Sequence, residues 1–306
     1  MNSKKKICFL SIFLFVGCTK DHLNIDSNCS ELPPAPIAGW NYQLDSVNYT
    51  FPFFNPSNSN EILYQKQESS GHKNLYKYNL LTKQKQIIFS DENYYQPKWG
   101  KNEWILLNPQ DGNIWKIKSN GDSLIQLTFT NGDFAPEWNI TSDKFSIYRT
   151  IGTFSKTVII DRDGNELDTL DNYYSSQSSW QHPYFMATAN EYGLRIINAE
   201  TDTVAHLITQ QEPSLTSAIW LSDQINIIYT AENGIFKINS QTKNISVIKS
   251  SCSTRKYLFP SYSPQSNKII FQRVDLQQLN SSTVSVKIGL YMMNTDGSDE
   301  HEVRIE

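Results

Sequence analysis

One aromatic position recurs along the chain at nearly constant spacing: Phe54, Trp99, Trp138, Trp180, Trp220 and Tyr262, separated by 45, 39, 42, 40 and 42 residues. A period of that size marks a supersecondary unit that cannot bury its apolar face alone and must stack on its neighbours. Two residues earlier stands Pro52, Pro97, Pro136 or Pro260, with Ser178 and Ala218 in the other two units, so Pro-x-aromatic marks four units of six.

Every unit then repeats one order: the aromatic segment, an apolar run, a polar loop, a second apolar run, a turn and a short last strand. First runs include Ile62-Leu63-Tyr64, Trp104-Ile105-Leu106-Leu107 and Ile269-Ile270-Phe271; second runs include Leu75-Tyr76-Lys77-Tyr78, Ile235-Phe236-Lys237-Ile238 and Leu290-Tyr291-Met292-Met293. Four or five residues long and rich in β-branched and aromatic types, they are strands. Several are apolar on both faces, so both sides of their sheet must be covered. Blades of a propeller meet that demand, because each sheet is packed between two others. The expectation is an all-β, six-bladed β-propeller of four-stranded antiparallel blades. It occupies residues 46–306 as one domain, with repeats at about 46–90, 91–130, 131–171, 172–210, 211–251 and 252–306.

These residues resemble a known family. Pro260-Ser261-Tyr262-Ser263-Pro264 through Ile269-Ile270-Phe271, followed by Leu290-Tyr291-Met292-Met293-Asn294-Thr295-Asp296-Gly297, is similar to the WD40-like (PD40-type) repeat of TolB-like propellers, and Leu127-Thr128 matches the end of that repeat in the second unit. Units four and five lack the proline and the Asp-Gly pair. The resemblance implies a six-bladed ring that docks other proteins of the bacterial envelope.

The N-terminus reads as an export signal over residues 1–17. Lys4-Lys5-Lys6 precedes the apolar stretch Ile7 to Val16, which is too short to span a bilayer. Phe15-Val16-Gly17-Cys18 resembles the lipobox of bacterial lipoproteins, which implies lipidation at Cys18, attachment to the membrane through that lipid, and an outer-membrane location, periplasmic or surface-exposed. Residues 18–45, polar and carrying Pro33-Pro34-Ala35-Pro36, read as a tether. With Cys8 lost to the signal and Cys18 to lipid, Cys29 and Cys252 remain; an oxidising compartment permits a bridge between them or two free thiols. Trp40-Asn41-Tyr42-Gln43-Leu44 has the composition to add an edge strand to the last blade and clasp the ring, the alternative being blades that close without exchange.

Chemistry-bearing patterns are sparse. Removing Lys4, Lys5 and Lys6 from the 27 basic residues leaves 24 against 31 acidic ones, a balance that argues against nucleic acid as a partner. The sequence contains no G-x-S-x-G nucleophile elbow and no H-E-x-x-H, and its 5 histidines, His22, His72, His182, His206 and His301, lack metal-ligand spacing. Asp161-Arg162-Asp163-Gly164-Asn165-Glu166-Leu167-Asp168 places oxygen ligands at alternate positions, but Glu166 stands where a calcium loop needs glycine, and a hairpin turn is the reading. No catalytic residue, metal or cofactor is expected.

The connections from one blade to the next carry aromatic and charged residues: Tyr94, Tyr95, Asp133, Phe134, Tyr173, Tyr174, Arg255 and Tyr257. They form the candidate binding mouth, suited to a peptide or glycan, or they pack over the blade junctions. Gln272 to Ile288 reads as a long loop in the last unit. The expectation is therefore a lipid-anchored, TolB-like envelope propeller that binds proteins and is not an enzyme. The alternatives are carbohydrate capture, or a glycan lyase or hydrolase acting at the mouth.

Overall fold

The computed structural model describes residues 29–36, 39–68, 71–90, 94–171, 178–181, 184–189, 193–198, 203–208 and 215–305, and all regular structure among them is strand. β1 (Asn41–Leu44) comes first. The first blade is β2 (Val47–Asn55), β3 (Asn58–Glu68), β4 (Lys73–Asn79) and β5 (Lys85–Ser90). The second is β6 (Tyr94–Trp99), β7 (Trp104–Pro109), β8 (Trp115–Lys118) and β9 (Ile125–Gln126). The third is β10 (Asp133–Trp138), β11 (Lys144–Ile151), β12 (Phe154–Asp161) and β13 (Glu166–Asp171). The fourth is β14 (Ser178–Gln181), β15 (Tyr184–Ala189), β16 (Gly193–Asn198) and β17 (Thr203–Ile208). The fifth is β18 (Leu215–Trp220), β19 (Asn226–Ala231), β20 (Gly234–Asn239) and β21 (Ile245–Ser250). The sixth is β22 (Arg255–Ser263), β23 (Lys268–Gln278), β24 (Thr283–Asn294) and β25 (His301–Glu302).

Five sheets are four-stranded antiparallel blades with strands in chain order, the arrangement of a β-propeller. The sixth departs from the expected pattern. It has five strands, because β1 joins it in parallel to β24, pairing Asn41 with Thr283 through Leu44 with Val286. The outer edge of β24 is thus shared: β25 pairs with Tyr291 and Met292, and β1 with the end nearer the β23–β24 turn. The short β25 leaves that edge open, and the N-terminal strand covers part of it.

Two expectations are corrected here. Gln272 to Ile288 is not a loop but the extension of β23 and β24 into a long hairpin, with Gln272 opposite Leu290 and Gln278 opposite Val284. The segment 18–45 is not a free tether to its end, since β1 belongs to a sheet. In addition, Thr254 Oγ1 donates to the Ser30 carbonyl at 2.5 Å and Leu32 N donates to Ser253 Oγ at 2.6 Å.

The core lies between blades rather than within one sheet. Leu63, Leu75 and Ile88 of the first blade pack with Trp99, Ile105 and Ile117 of the second; Leu106, Ile114 and Leu127 of the second meet Trp138, Phe145 and Val158 of the third. Leu194 and Leu207 of the fourth meet Trp220 and Ile227 of the fifth, and Ile228 and Ile235 of the fifth meet Tyr257, Phe271 and Met293 of the sixth. Ring closure repeats the pattern, with Phe54, Ile62, Tyr64 and Tyr78 against Ile270, Leu290 and Met292. Each such side chain, fully buried, contributes about 1.5–3 kcal/mol.

The Pro-x-aromatic signature now has a structural cause. Proline has no N–H to give the ladder, and register shifts fall at Thr50/Phe53, Tyr95/Lys98, Phe134/Glu137 and Leu258/Ser261, around each proline. The preceding residue takes up the irregularity: Phe51, Ala135 and Phe259 all have φ of 50°. In three of the four proline units the aromatic that follows enters the inter-blade core, as Phe54, Trp99 and Trp138, and Trp220 does so after Ala218, while Tyr262 is partly buried. The glycine of the turn between third and outer strands is equally positional. Gly297 has φ of 87°, and a Cβ there would stand 2.5 Å from the Ile248 carbonyl of the fifth blade; at Gly164 the equivalent atom would meet the Leu127 carbonyl of the second at 2.7 Å. These turns press on the outer edge of the preceding blade.

Candidate binding face

Antiparallel order sends two kinds of connection to one end of the ring: those from an outer strand to the next inner strand, and those from second to third strand. Hydrogen bonds between them confirm the shared end, as Ser251 N donates to Asn233 O, Asp133 N to Gly112 O and Thr150 N to Gly132 O. The described ones among the expected mouth residues sit on or near these connections, but the structure does not gather those into one mouth.

Asp133 is fully buried rather than lining a pocket, a correction to the expected mouth. Its carboxylate receives Arg149 Nε at 2.5 Å and Nη2 at 3.0 Å, while Arg149 Nη1 donates to Glu166. Tyr257 is likewise buried, in the core between fifth and sixth blades. Burial, with the Glu300 carboxylate beside it, pushes its phenol up to about 12. Both residues occupy the position three before the repeat proline, as does Tyr49, which packs edge-on against Tyr64. That position faces inward, because an inner strand must fill the wedge between blades. Tyr94 and Tyr95 begin β6, opposite Pro109 and Asn108, while Tyr173 and Tyr174 lie outside the described residues. Phe134 is exposed.

The structure assembles three arrangements, the first of them at this end. The first is apolar. Phe129 (75% exposed), Phe134 (39%), Ile151 (56%) and Phe154 (80%) surround the start of the third blade, where Ile151 and Phe154 face each other across the Gly152-Thr153 turn. The connection bearing Phe129 and Phe134 is bonded to β11 next to Ile151, through Thr150 N and the Gly132 carbonyl at 2.8 Å. Sequence reading found Phe134 and missed the rest; an apolar pair flanking Gly-Thr at a hairpin tip was the available signal.

The second is a polar groove of about 370 Å³ between fifth and sixth blades, lined by Lys249, Arg255, Arg273, Ser298, Asp299 and Glu300. Arg273 reaches Asp275 at 2.8 Å and Glu300 at 2.8 Å, donates to the Tyr291 hydroxyl at 2.7 Å, and stacks 3.5 Å from that ring's centre. Arg255 meets Asp275 at 3.0 Å and Lys249 meets Glu300 at 3.1 Å. Cations and carboxylates alternate, so the groove stores no net charge for an ionic ligand. Of its residues the sequence reading put only Arg255 in the expected mouth, while Arg273 fell within the stretch Gln272 to Ile288 read as a loop.

The third is the channel wall, where Phe51 and Phe259 lie 4.7 Å apart beside Pro52, Pro97 and Pro260. Lys98 stands over Phe53 and meets Glu137 at 2.7 Å. Burial pushes the Glu137 carboxyl up, and the Lys98 ammonium opposes that shift.

Cys29 and Cys252 form a disulfide with Cα atoms 6.1 Å apart, at this same end of the ring. Asp161 spends its oxygens on its own turn, accepting from Asp163 N, Asn165 N and Asn165 Nδ2, so the stretch suggestive of calcium binding is a hairpin turn. Among the described residues no group of three or more His, Cys, Asp or Glu is placed to hold a metal ion, and no helix is long and apolar enough to cross a membrane.

No protein-family model matches this sequence, and no curated protein matches it. Solved structures do. A protein of Agrobacterium tumefaciens described as a TolB superposes with a TM-score of 0.61 at 13% identity, over 74% of this chain and 86% of that one. TolB from Acinetobacter baumannii gives 0.58 at 13% identity, over 82% of this chain and 61% of its own length. An oligogalacturonate lyase from Vibrio parahaemolyticus gives 0.54 at 12% identity, over 83% of this chain and 77% of that one, so the same frame also carries enzymes. Identities this low speak for the fold alone, and the fold is that of a TolB-like β-propeller.

Proposed function

We propose that this protein is an exported lipoprotein, attached to the outer membrane of a bacterial envelope through a lipid on Cys18, whose propeller binds another envelope protein as an assembly module and catalyses no reaction. The observation that carries the reading is the distribution of exposed aromatic side chains. Among the described residues, every aromatic in the exposed class, Tyr42, Phe129, Phe134 and Phe154, lies at the end of the ring where the blade connections gather. At the opposite end the exposed large apolar side chains among the described residues are aliphatic, Leu81, Leu124, Ile125 and Ile140 among them. Apolar side chains clustered on one face of a rigid frame mark a protein contact, and aromatics supply the anchors of such contacts. The third-blade rim, Phe129, Phe134, Ile151 and Phe154, is the binding surface.

The test is photo-crosslinking in cells with p-benzoylphenylalanine at Phe154 and, as a control, at Leu81. A discrete protein adduct from position 154 alone is the expected result. No adduct there, or the same adducts from both positions, overturns the reading. Palmitate labelling that disappears in Cys18→Ala checks the anchor.

A further inference from the structure

The sixth blade carries a projection, the long β23–β24 hairpin, with the N-terminal strand β1 paired along it. Counted from the residue opposite the repeat aromatic, β3 of the first blade runs from Ile62 to Glu68 and β19 of the fifth from Ile227 to Ala231, whereas β23 continues from Ile269 to Gln278. The extra residues, three over the first blade and five over the fifth, lift the β23–β24 turn about 10–16 Å beyond the neighbouring turns, at 3.3 Å per residue. β1 lies along this projection with all four residues exposed. In parallel register Tyr42 stands beside Val284 and Leu44 beside Val286; the valines are buried, while Tyr42 is 58% and Leu44 55% exposed. Leu279, next to the turn, is 52% exposed.

The anchor point sits at the same end. The disulfide to Cys252 and the hydrogen bonds of Ser30 and Leu32 fix Cys29 at the start of the sixth blade. From Cys18 to Cys29 there are eleven residue steps, which span at most about 40 Å fully extended. A lipid on Cys18 therefore keeps the sixth blade's connection end close to the bilayer, and among the described residues the projection is the part of that end standing furthest out.

We infer that the projecting β23–β24 hairpin and β1 form a membrane-contact element, with Tyr42, Leu44 and Leu279 seated in the headgroup region of the bilayer that holds the anchor. The inference rests on the lipid anchor proposed above. Tyrosine prefers that depth, with its ring against acyl chains and its hydroxyl among headgroups. β1 keeps its polar backbone edge, which suits the wet interface and excludes the hydrocarbon interior. In a six-bladed ring the sixth and third blades stand opposite each other, so this contact leaves the third-blade rim open to a protein.

The experiment reconstitutes the lipidated full chain in vesicles of phosphatidylethanolamine and phosphatidylglycerol with brominated acyl chains. A fluorophore is attached through a non-natural amino acid at position 279, 42 or 81, and flotation is measured in parallel. The expected result is co-flotation, strong quenching at 279 and 42, and unchanged emission at 81. Flotation without quenching at 279 overturns the membrane contact and leaves the anchor standing; failure to float overturns the anchor and this inference with it. Quenching at 279 that persists in Tyr42→Glu/Leu44→Glu also overturns it, because the apolar face would then have no part. In cells, p-benzoylphenylalanine at 279 is expected to yield phospholipid adducts, and a protein adduct instead overturns the assignment.

Discussion

Asp133 and Arg149 face each other across β10 and β11 as a two-point ion pair, with Nε on Oδ1 at 2.5 Å and Nη2 on Oδ2 at 3.0 Å, inside the ring wall. Removing one partner of a buried pair leaves the other charge uncompensated, which costs about 3–5 kcal/mol. Glu166 also holds Arg149 and is itself half exposed, so Asp133→Ala is expected at the lower end, about 3 kcal/mol by urea denaturation. Asp133→Leu combined with Arg149→Met should recover most of that loss, because an apolar pair of similar volume has no charge to desolvate. A double variant as unstable as the single one would show that the carboxylate is needed for something other than balancing the guanidinium.

Gly297 tests the inter-blade contact of the turns. Alanine there meets both a left-handed φ of 87° and the Ile248 carbonyl 2.5 Å from its Cβ. Gly152 is the control, with φ of 61° and open space around its Cβ. The left-handed conformation alone costs a non-glycine residue about 1–2 kcal/mol. Gly152→Ala should therefore lose about 1 kcal/mol and Gly297→Ala clearly more, read as the difference in urea midpoint at unchanged m-value.

Much of the fold was legible in the repeat itself. A recurring aromatic with strands apolar on both faces demands stacked sheets, and the Asp-Gly pair near the C-terminus marks a turn. The candidate site was less legible, for a physical reason. Side chains alternate along a strand, and one inserted residue reverses the faces. Asp133 and Phe134 stand before the bulge at Phe134/Glu137, and Tyr257 before the one at Leu258/Ser261, so alternation counted back from the repeat aromatic assigns the wrong face. The sixth-blade projection did leave a signal. Val284, Val286 and Ile288 alternate with polar residues, the period of a half-buried strand, hidden by the glutamines and serines around them.

The Tyr257 phenol gives the fold an alkaline limit. Its folded value, pushed up to about 12 chiefly by burial, stands above the unfolded value of 10.0. Between those values the folded chain holds a proton that the unfolded chain has released, so stability falls as pH rises from about 10 to 12, by up to about 1.4 kcal/mol per unit of separation. Tyr257→Phe should make that part of the stability curve less steep, with the Tyr64 and Tyr291 phenols, also pushed up by burial, keeping the rest of the slope, and leave the neutral region close to the parent. An unchanged alkaline slope in the variant would assign the titration to another group.

The Cys29–Cys252 bridge joins residues 223 apart and closes most of the ring covalently. A cross-link of that span acts chiefly by restricting the unfolded chain, with typical contributions of about 2–4 kcal/mol. Cys29→Ser/Cys252→Ser is therefore expected to lower the melting temperature, and a reductant should do the same to the parent protein but not to the variant. The bridge also holds Ser30 to Leu32 against Ser253 and Thr254 by hydrogen bonds that are partly exposed and weak alone. Without it the N-terminal segment remains attached through those hydrogen bonds and β1, whose four residues pair on one side. Limited proteolysis should then cut between residues 19 and 40 in the variant while the blades stay intact. Equal protection in both proteins would mean that β1 and the hydrogen bonds hold the segment without the bridge.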